Sequence, residues 1–180
     1  MKNYLYGSIV IVILLSLLGC QHDTTQTDHI DTNKDLNGFV ELKPSDWVKY
    51  IKPIREYMYY RTQATVNKDI DQLWNKYPDL QENINQLQGI NIEKFEVEFF
   101  KNSFDLLDAN YDIEKYGKIK VKFVNDTEVI VLVHGSIEYI RDDFDLSGGE
   151  HLIRVFLQQK DKGWTVVKTD EHTMSELKDS

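Results

Sequence analysis

Part-way along this chain the spacing of apolar residues changes, and that change constrains the fold more than any other feature. Up to about Ala109 the large apolar side chains recur every three or four positions, and after Tyr116-Gly117 they alternate. The first spacing marks one face of a helix, and the second marks a strand with one face buried. Ser45-Asp46 offers an N-cap, and Trp47, Tyr50, Ile51, Ile54, Tyr57 and Met58 follow on one helical face. Pro53 falls inside that stretch, so the helix kinks there or starts near it. A shorter second helix is expected after Asn67 as its cap, with Ile70, Leu73, Trp74 and Tyr77 on one side and Pro78 at its end. Residues 79–92, with their Asn and Gln residues and Gly89, read as a loop holding one helical turn at most. Ile92, Phe95, Phe99, Leu106 and Leu107 predict a third helix through about Ala109.

The alternating half starts with Lys118–Val124, where Ile119, Val121 and Phe123 oppose three lysines. Asn125-Asp126 turns the chain; Asn125-Asp126-Thr127 also fits a glycosylation sequon, but a turn explains it more simply. Glu128–Ile140 is a long strand, apolar on both faces through Val129–Val133, with Gly135 expected as a bulge. Ser147-Gly148-Gly149 is expected to close a second connection, His151–Gln159 to return, Lys160–Gly163 to turn again, and Trp164–Thr169 to end the sheet. Helices followed by an antiparallel meander of about four strands make an α+β domain.

The first 19 residues are unlike the rest. Lys2 is their only charge, and an apolar run from Ile9 to Leu18 is shorter than the roughly 20 residues a spanning helix needs, which fits a secretory signal. Leu17-Leu18-Gly19-Cys20 resembles the lipobox of bacterial lipoproteins. That resemblance implies cleavage before Cys20, a lipid on its sulfur, and a place on the outer face of the cell membrane. Residues 20–37 are polar, with only Ile30 and Leu36 as large apolar residues, and read as a lipidated flexible tether. The domain is then expected over 38–175, with a short tail at 176–180. Cys20 is the chain's only cysteine, so once it is acylated the domain has no thiol for a disulfide or a metal. A formal charge of −9, with lysines scattered rather than striped, argues against nucleic acid as a partner.

Helix, the segment Asn67-Lys68-Asp69-Ile70-Asp71-Gln72-Leu73-Trp74, more helix and then long strands resembles the NTF2-like (cystatin-like) superfamily. The terminal Gly163-Trp164-Thr165-Val166-Val167-Lys168 adds to the likeness, because many members end on a strand with an aromatic-led W-x-V pattern. The match spans roughly residues 45–172, and within the superfamily it looks most like small lipid-anchored proteins of Firmicutes. The resemblance implies N-terminal helices packed on a curved antiparallel sheet, forming a cone that often encloses a pocket. Enzymes of the group, such as ketosteroid isomerase and scytalone dehydratase, place an Asp or His base there.

The catalytic candidates on that reading are His134, Glu138 and His151. His134 and Glu138 share a strand face unless Gly135 shifts the register between them. Tyr57, Tyr60, Trp74, His134 and Phe156 are candidates to line an apolar pocket, the default ligand site of a cone. Asp143, Asp145 and Ser147 have the D-x-D-x-S start of a calcium loop, and Glu150 stands nearby. Arg154 occupies the twelfth position, where the motif needs a bidentate Glu, so an EF-hand is excluded. Asn33–Gly38 starts similarly but places Pro44 there, and reads as tether.

These residues support a membrane-anchored, non-catalytic domain that binds a small apolar ligand or a cell-envelope protein, with no cofactor. The alternatives are an isomerase or dehydratase using a His or acid in the cone, and an accessory subunit of an envelope assembly. The sheet face is also a candidate surface for a homodimer.

Overall fold

A computed structural model describes residues 38–86, 88–113 and 119–173. The expected signal, Cys20, the tether, Tyr116-Gly117 and the tail from 176 lie outside the described residues. Within them, helices pack on a curved antiparallel sheet that does not close into a barrel, as the resemblance implies.

The first helix, α1, runs from Pro44 to Val66. Pro44 rather than the expected Ser45 cap opens it, because proline's fixed φ suits the first helical turn and its missing N–H goes unneeded there. The helix continues past Pro53, which is buried in its packed face with Tyr50, Ile54, Tyr57 and Met58. Arg61, Thr62 and Thr65 extend that buried face at the same spacing, so the stripe turns polar without turning outward.

Asn67 is the C-cap of α1, not the N-cap of the next helix; its N–H donates to the Gln63 carbonyl, and the Lys68 N–H donates to the Thr65 carbonyl. Helix α2 is a short Asp71–Lys76, followed by a 3-10 turn at Pro78–Glu82. Helix α3 covers Ile92–Ser103, its N-cap Asn91 accepting from the Lys94 N–H.

Among the described residues six strands form one sheet: β1 (Val40–Glu41), β2 (Leu106–Asp112), β3 (Lys120–Asn125), β4 (Glu128–Arg141), β5 (Leu146–Lys160) and β6 (Gly163–Thr173). Leu106 and Leu107 therefore begin a strand rather than ending the third helix. Phe104 is already extended at φ −145°, and the far half of β4 would otherwise lack a neighbour on that side. β3 pairs the first half of β4 and β2 the second, so two short strands share one edge of a long one. The other edge of β4 pairs β5 from Glu128↔Gln158 to Ile140↔Leu146 with no register shift.

That continuity corrects the bulge expected at Gly135. Glycine is needed there because a Cβ would sit 1.9 Å from the Asp112 carbonyl oxygen, at the end of β2. Ser147-Gly148-Gly149 likewise lies within β5, opposite Ile137, Glu138 and Tyr139, and the turn comes earlier, around Asp142–Phe144. Gly148, at φ +125°, brings its backbone against the Ile137 carbonyl, where a Cβ would stand 2.1 Å away. The turn after β3 forms as expected, with Asn125 Oδ1 accepting from the Thr127 N–H and hydroxyl.

Side chains of β4 alternate, except that Ser136, on the outward side, is also buried. Val129, Val131, Val133, Ile137 and Tyr139 face the helices and are buried; Ile130, Leu132, His134 and Glu138 face the other way. On β5, His151, Ile153, Val155 and Leu157 point inward. Gly135→Ala is expected to lower stability by about 1–3 kcal/mol or more, since the obstacle is backbone. Gly149→Ala, with nothing within 4 Å of its Cβ, should be close to neutral. Urea unfolding of both variants checks this, and equal midpoints would contradict it.

Candidate functional site

The buried polar residues of α1, α3 and β6 meet inside the cone. Tyr57 and Arg61 stand one turn apart on α1, and Glu93 and Glu96 stand at i and i+3 on the inward face of α3, beside Val97 and Phe100. Glu171 and Thr169 come from the inward face of β6. Arg61, 2% exposed, donates from Nε to Glu96 Oε2 at 2.9 Å and from Nη1 to Glu171 Oε2 at 2.7 Å. Its Nη1 also lies 3.5 Å from the Tyr57 hydroxyl. Tyr57 donates to Glu93 Oε1 at 2.9 Å, and the Thr169 hydroxyl donates to the same oxygen at 2.5 Å.

Two carboxylates, Glu96 and Glu171, thus flank one guanidinium, and Glu93 joins the cluster through Tyr57 and Thr169. Burial opposes the charge on Arg61, but Glu171 and Glu96 outweigh it and hold its pKa well above the ordinary value. Burial pushes the Glu96 carboxyl up; Arg61 pulls the other way and Glu171 adds to the rise. Tyr57 and Tyr139 are both raised, by burial first and then by Glu93 and Glu96 respectively.

His151 lies on the same inner face, 3% exposed and diagonal to Glu171, whose direct partner across the strands is Ile153. Burial lowers its pKa to about 4; Glu171 opposes that, and Arg61 and His134 reinforce it. The ring is therefore neutral at pH 7, and its Nε2 has no hydrogen-bond partner among the described residues. Glu93 Oε2 is a second buried acceptor in that state.

A stitch of amides closes the cone beside this cluster. Asn83 Nδ2 donates to the Thr169 carbonyl and hydroxyl, Asn85 Nδ2 to the Glu171 carbonyl at 2.7 Å, and the Gln86 N–H to Asp170 Oδ1. The Asn- and Gln-bearing segment, expected as a loop with one helical turn, has its turn at Pro78–Glu82 and is laced to β6.

The sequence candidates are dispersed by this arrangement. His151 is inside the cone, while His134 and Glu138 share the outer sheet face, Glu138 exposed; the three cannot act on one substrate. Of the pocket candidates, Tyr57 is inside the cone, Tyr60 and Trp74 are half-buried at its helical wall, and His134 and Phe156 are on the outer face. They do not line one cavity. Asp143 is held by Arg141 and accepts from the Asp145 N–H in the turn, whereas Ser147 and Glu150 lie spread along β5. Among the described residues no group of acids and histidines converges as a metal site. Arg61, Glu93, Glu96 and Glu171 escaped the sequence reading; the available signal was the continuation of the α1 stripe into Arg61 and Thr65.

A separate cleft of about 410 Å³ opens between α1, the end of α2 and the β5–β6 turn, and no residue of the Arg61 cluster lines it.

No family model matches the sequence, and no curated protein matches it. Solved structures do. Aln2 from a Streptomyces species is similar with a TM-score of 0.51 at 9% identity, over 76% of this chain and 96% of that one. An NTF2-like superfamily protein from Salmonella enterica serovar Typhimurium scores 0.47 at 10% identity, over 71% and 92%. A cystatin-like domain from Nostoc punctiforme scores 0.45 at 15% identity, over 74% and 82%. At such identities the likeness concerns the fold alone, helices packed on a curved antiparallel sheet.

Two measurements probe the cluster. Arg61→Met should destabilise by about 3–5 kcal/mol, because it strands buried carboxylates; a loss below about 1 kcal/mol would show the charges to be solvated. For His151, the unfolded ring takes up its proton near pH 6.5 and the folded one near pH 4. Its contribution is therefore present above pH 6.5 and is lost as pH falls towards 4, by up to about 3 kcal/mol. His151→Gln should flatten the stability profile in that window, and parallel profiles would contradict the assignment.

Proposed function

We propose that this chain is a lipid-anchored extracytoplasmic protein whose domain binds a partner and performs no chemistry on it. The observation that carries the non-catalytic part is the Arg61 cluster. Its guanidinium is already committed to Glu96 and Glu171, and the groups around it are buried against one another. A general acid or base must exchange a proton with a substrate within hydrogen-bond reach. Here the polar groups reach each other instead, and moving one would leave a charge uncompensated in the core. The anchoring part is supported by Leu17-Leu18-Gly19-Cys20 and the short apolar run before it. Two or more acyl chains give stable attachment, where one is marginal.

One observation favours an enzyme of the isomerase or dehydratase kind instead. His151 is neutral at pH 7 and has an unpartnered Nε2 inside the cone, next to Glu171. In that case His151 would be the base and Tyr57 or Tyr139 the hydrogen-bond donor to the substrate oxygen.

The anchored protein should fractionate with membranes and take up a palmitate label, and Cys20→Ser should release it to the aqueous fraction unlabelled. A variant that stays in the membrane would remove the lipid from this proposal. Turnover of a ketosteroid or a hydroxylated aromatic by the purified protein, abolished by His151→Gln, would replace the binding function with the enzymatic one.

A further inference from the structure

We infer that the cleft between α1, the end of α2 and the β5–β6 turn binds an uncharged saccharide ring. Its volume of about 410 Å³ falls within the roughly 300–1,000 Å³ of small-molecule sites. Pro53 and Trp164 supply apolar wall. Trp164 is held in place by an edge-to-face contact with Tyr50, at 5.5 Å between centroids and 62° between planes. A half-buried indole fixed in this way offers a flat surface at little entropic cost, suited to the C–H face of a sugar.

The polar lining decides what kind of ring. Lys76, Lys160 and Lys162 are cationic, and Glu56 and Asp161 are anionic. Lys76 is paired with Glu56 at 2.5 Å, and Lys160 with Asp79 at 2.8 Å. A strongly charged ligand would have to compete with these existing partners. Ammonium groups only donate and carboxylates only accept, so the cleft offers both in close alternation. Sugar hydroxyls, which donate and accept at once, match that alternation without needing a net charge.

Tyr77 adds an independent observation. It lines the cleft, is 2% exposed, and its hydroxyl has no hydrogen-bond partner among the described residues. Its ring is fixed edge-on between Tyr57 and Tyr60, at 6.0 and 6.1 Å. Burial and then Glu56 keep the phenol protonated, so it is a standing donor. An unpaired buried hydroxyl is unfavourable, and a small shift of the cleft wall that admits a ligand hydroxyl to it supplies the missing bond.

This assignment rests on the binding function proposed above and names the ligand class for such a domain. Calorimetric titration of the full chain, held in a detergent without a sugar headgroup, separates the outcomes. Cellotetraose and tetra-N-acetylchitotetraose serve as uncharged probes and tetragalacturonate as the anionic one. Saturable binding of an uncharged probe is expected, weakened at least about tenfold by Tyr77→Phe and by Trp164→Leu. Both variants should keep the wild-type circular dichroism spectrum, and Tyr77→Phe preserves the ring packing even where Trp164→Leu does not. Saturation by neither uncharged probe, tighter binding of tetragalacturonate, or binding indifferent to Tyr77→Phe would each overturn the assignment. A negative titration with Cys20-dependent membrane attachment intact would remove the saccharide and leave the anchored binding domain standing.

Discussion

Arg61 sits almost fully buried between two helices and the sheet, and a guanidinium in that position must be matched by carboxylates from whatever packs around it. Its planar fork reaches Glu96 on α3 and Glu171 on β6 from a single side chain of α1. The three elements that enclose the cone are therefore tied at one point. Removing two or three charges from water is unfavourable, and only short, well-directed bonds offset it. That requirement holds α3 at a fixed depth over the sheet. It also makes the cone's interior a set of mutually engaged polar groups, with Tyr57, Thr169 and Glu93 completing the ring.

The sheet meets this arrangement through β4, which is long enough to need two partners on one side. β3 serves one half and β2 the other, and Asp112 and Ile113 at the end of β2 pack directly against Gly135. Because β4 and β5 pair without a slip, every inward residue stays inward along their whole length. That continuity puts His151 in the cone and His134 on the opposite face. It also leaves Ile130, Leu132 and Phe156 on the outer surface, among basic side chains such as Lys120 and Lys122.

Much of the architecture was legible in local spacing. The α1 stripe, the β4 and β5 alternation, the turn at Asn125-Asp126 and the hairpin at Lys160–Gly163 each depend on backbone geometry over a few residues. The errors have a common source. Leu106-Leu107 continued a helical spacing, but Phe104 turns extended and β4 recruits the segment as an edge. Ser147-Gly148-Gly149 had the composition of a turn, yet Gly148 serves a close approach between paired strands. Asn67 had the chemistry of an N-cap and ended a helix instead. In each case the surrounding structure overrode a local preference.

The site was far less legible than the fold, because charged residues at helical spacing ordinarily lie on a solvated face. Glu93 and Glu96 look like such a face until α1 is laid against them. The partners of Arg61 lie 35 and 110 residues away in sequence, and no spacing rule spans those distances. By itself, the sequence determined which stretches bury one side and in what order helices give way to strands, since periodicity is a property of the local backbone. Only the tertiary structure decided which polar groups face one another, since burial of a charge depends on what distant segment arrives to match it.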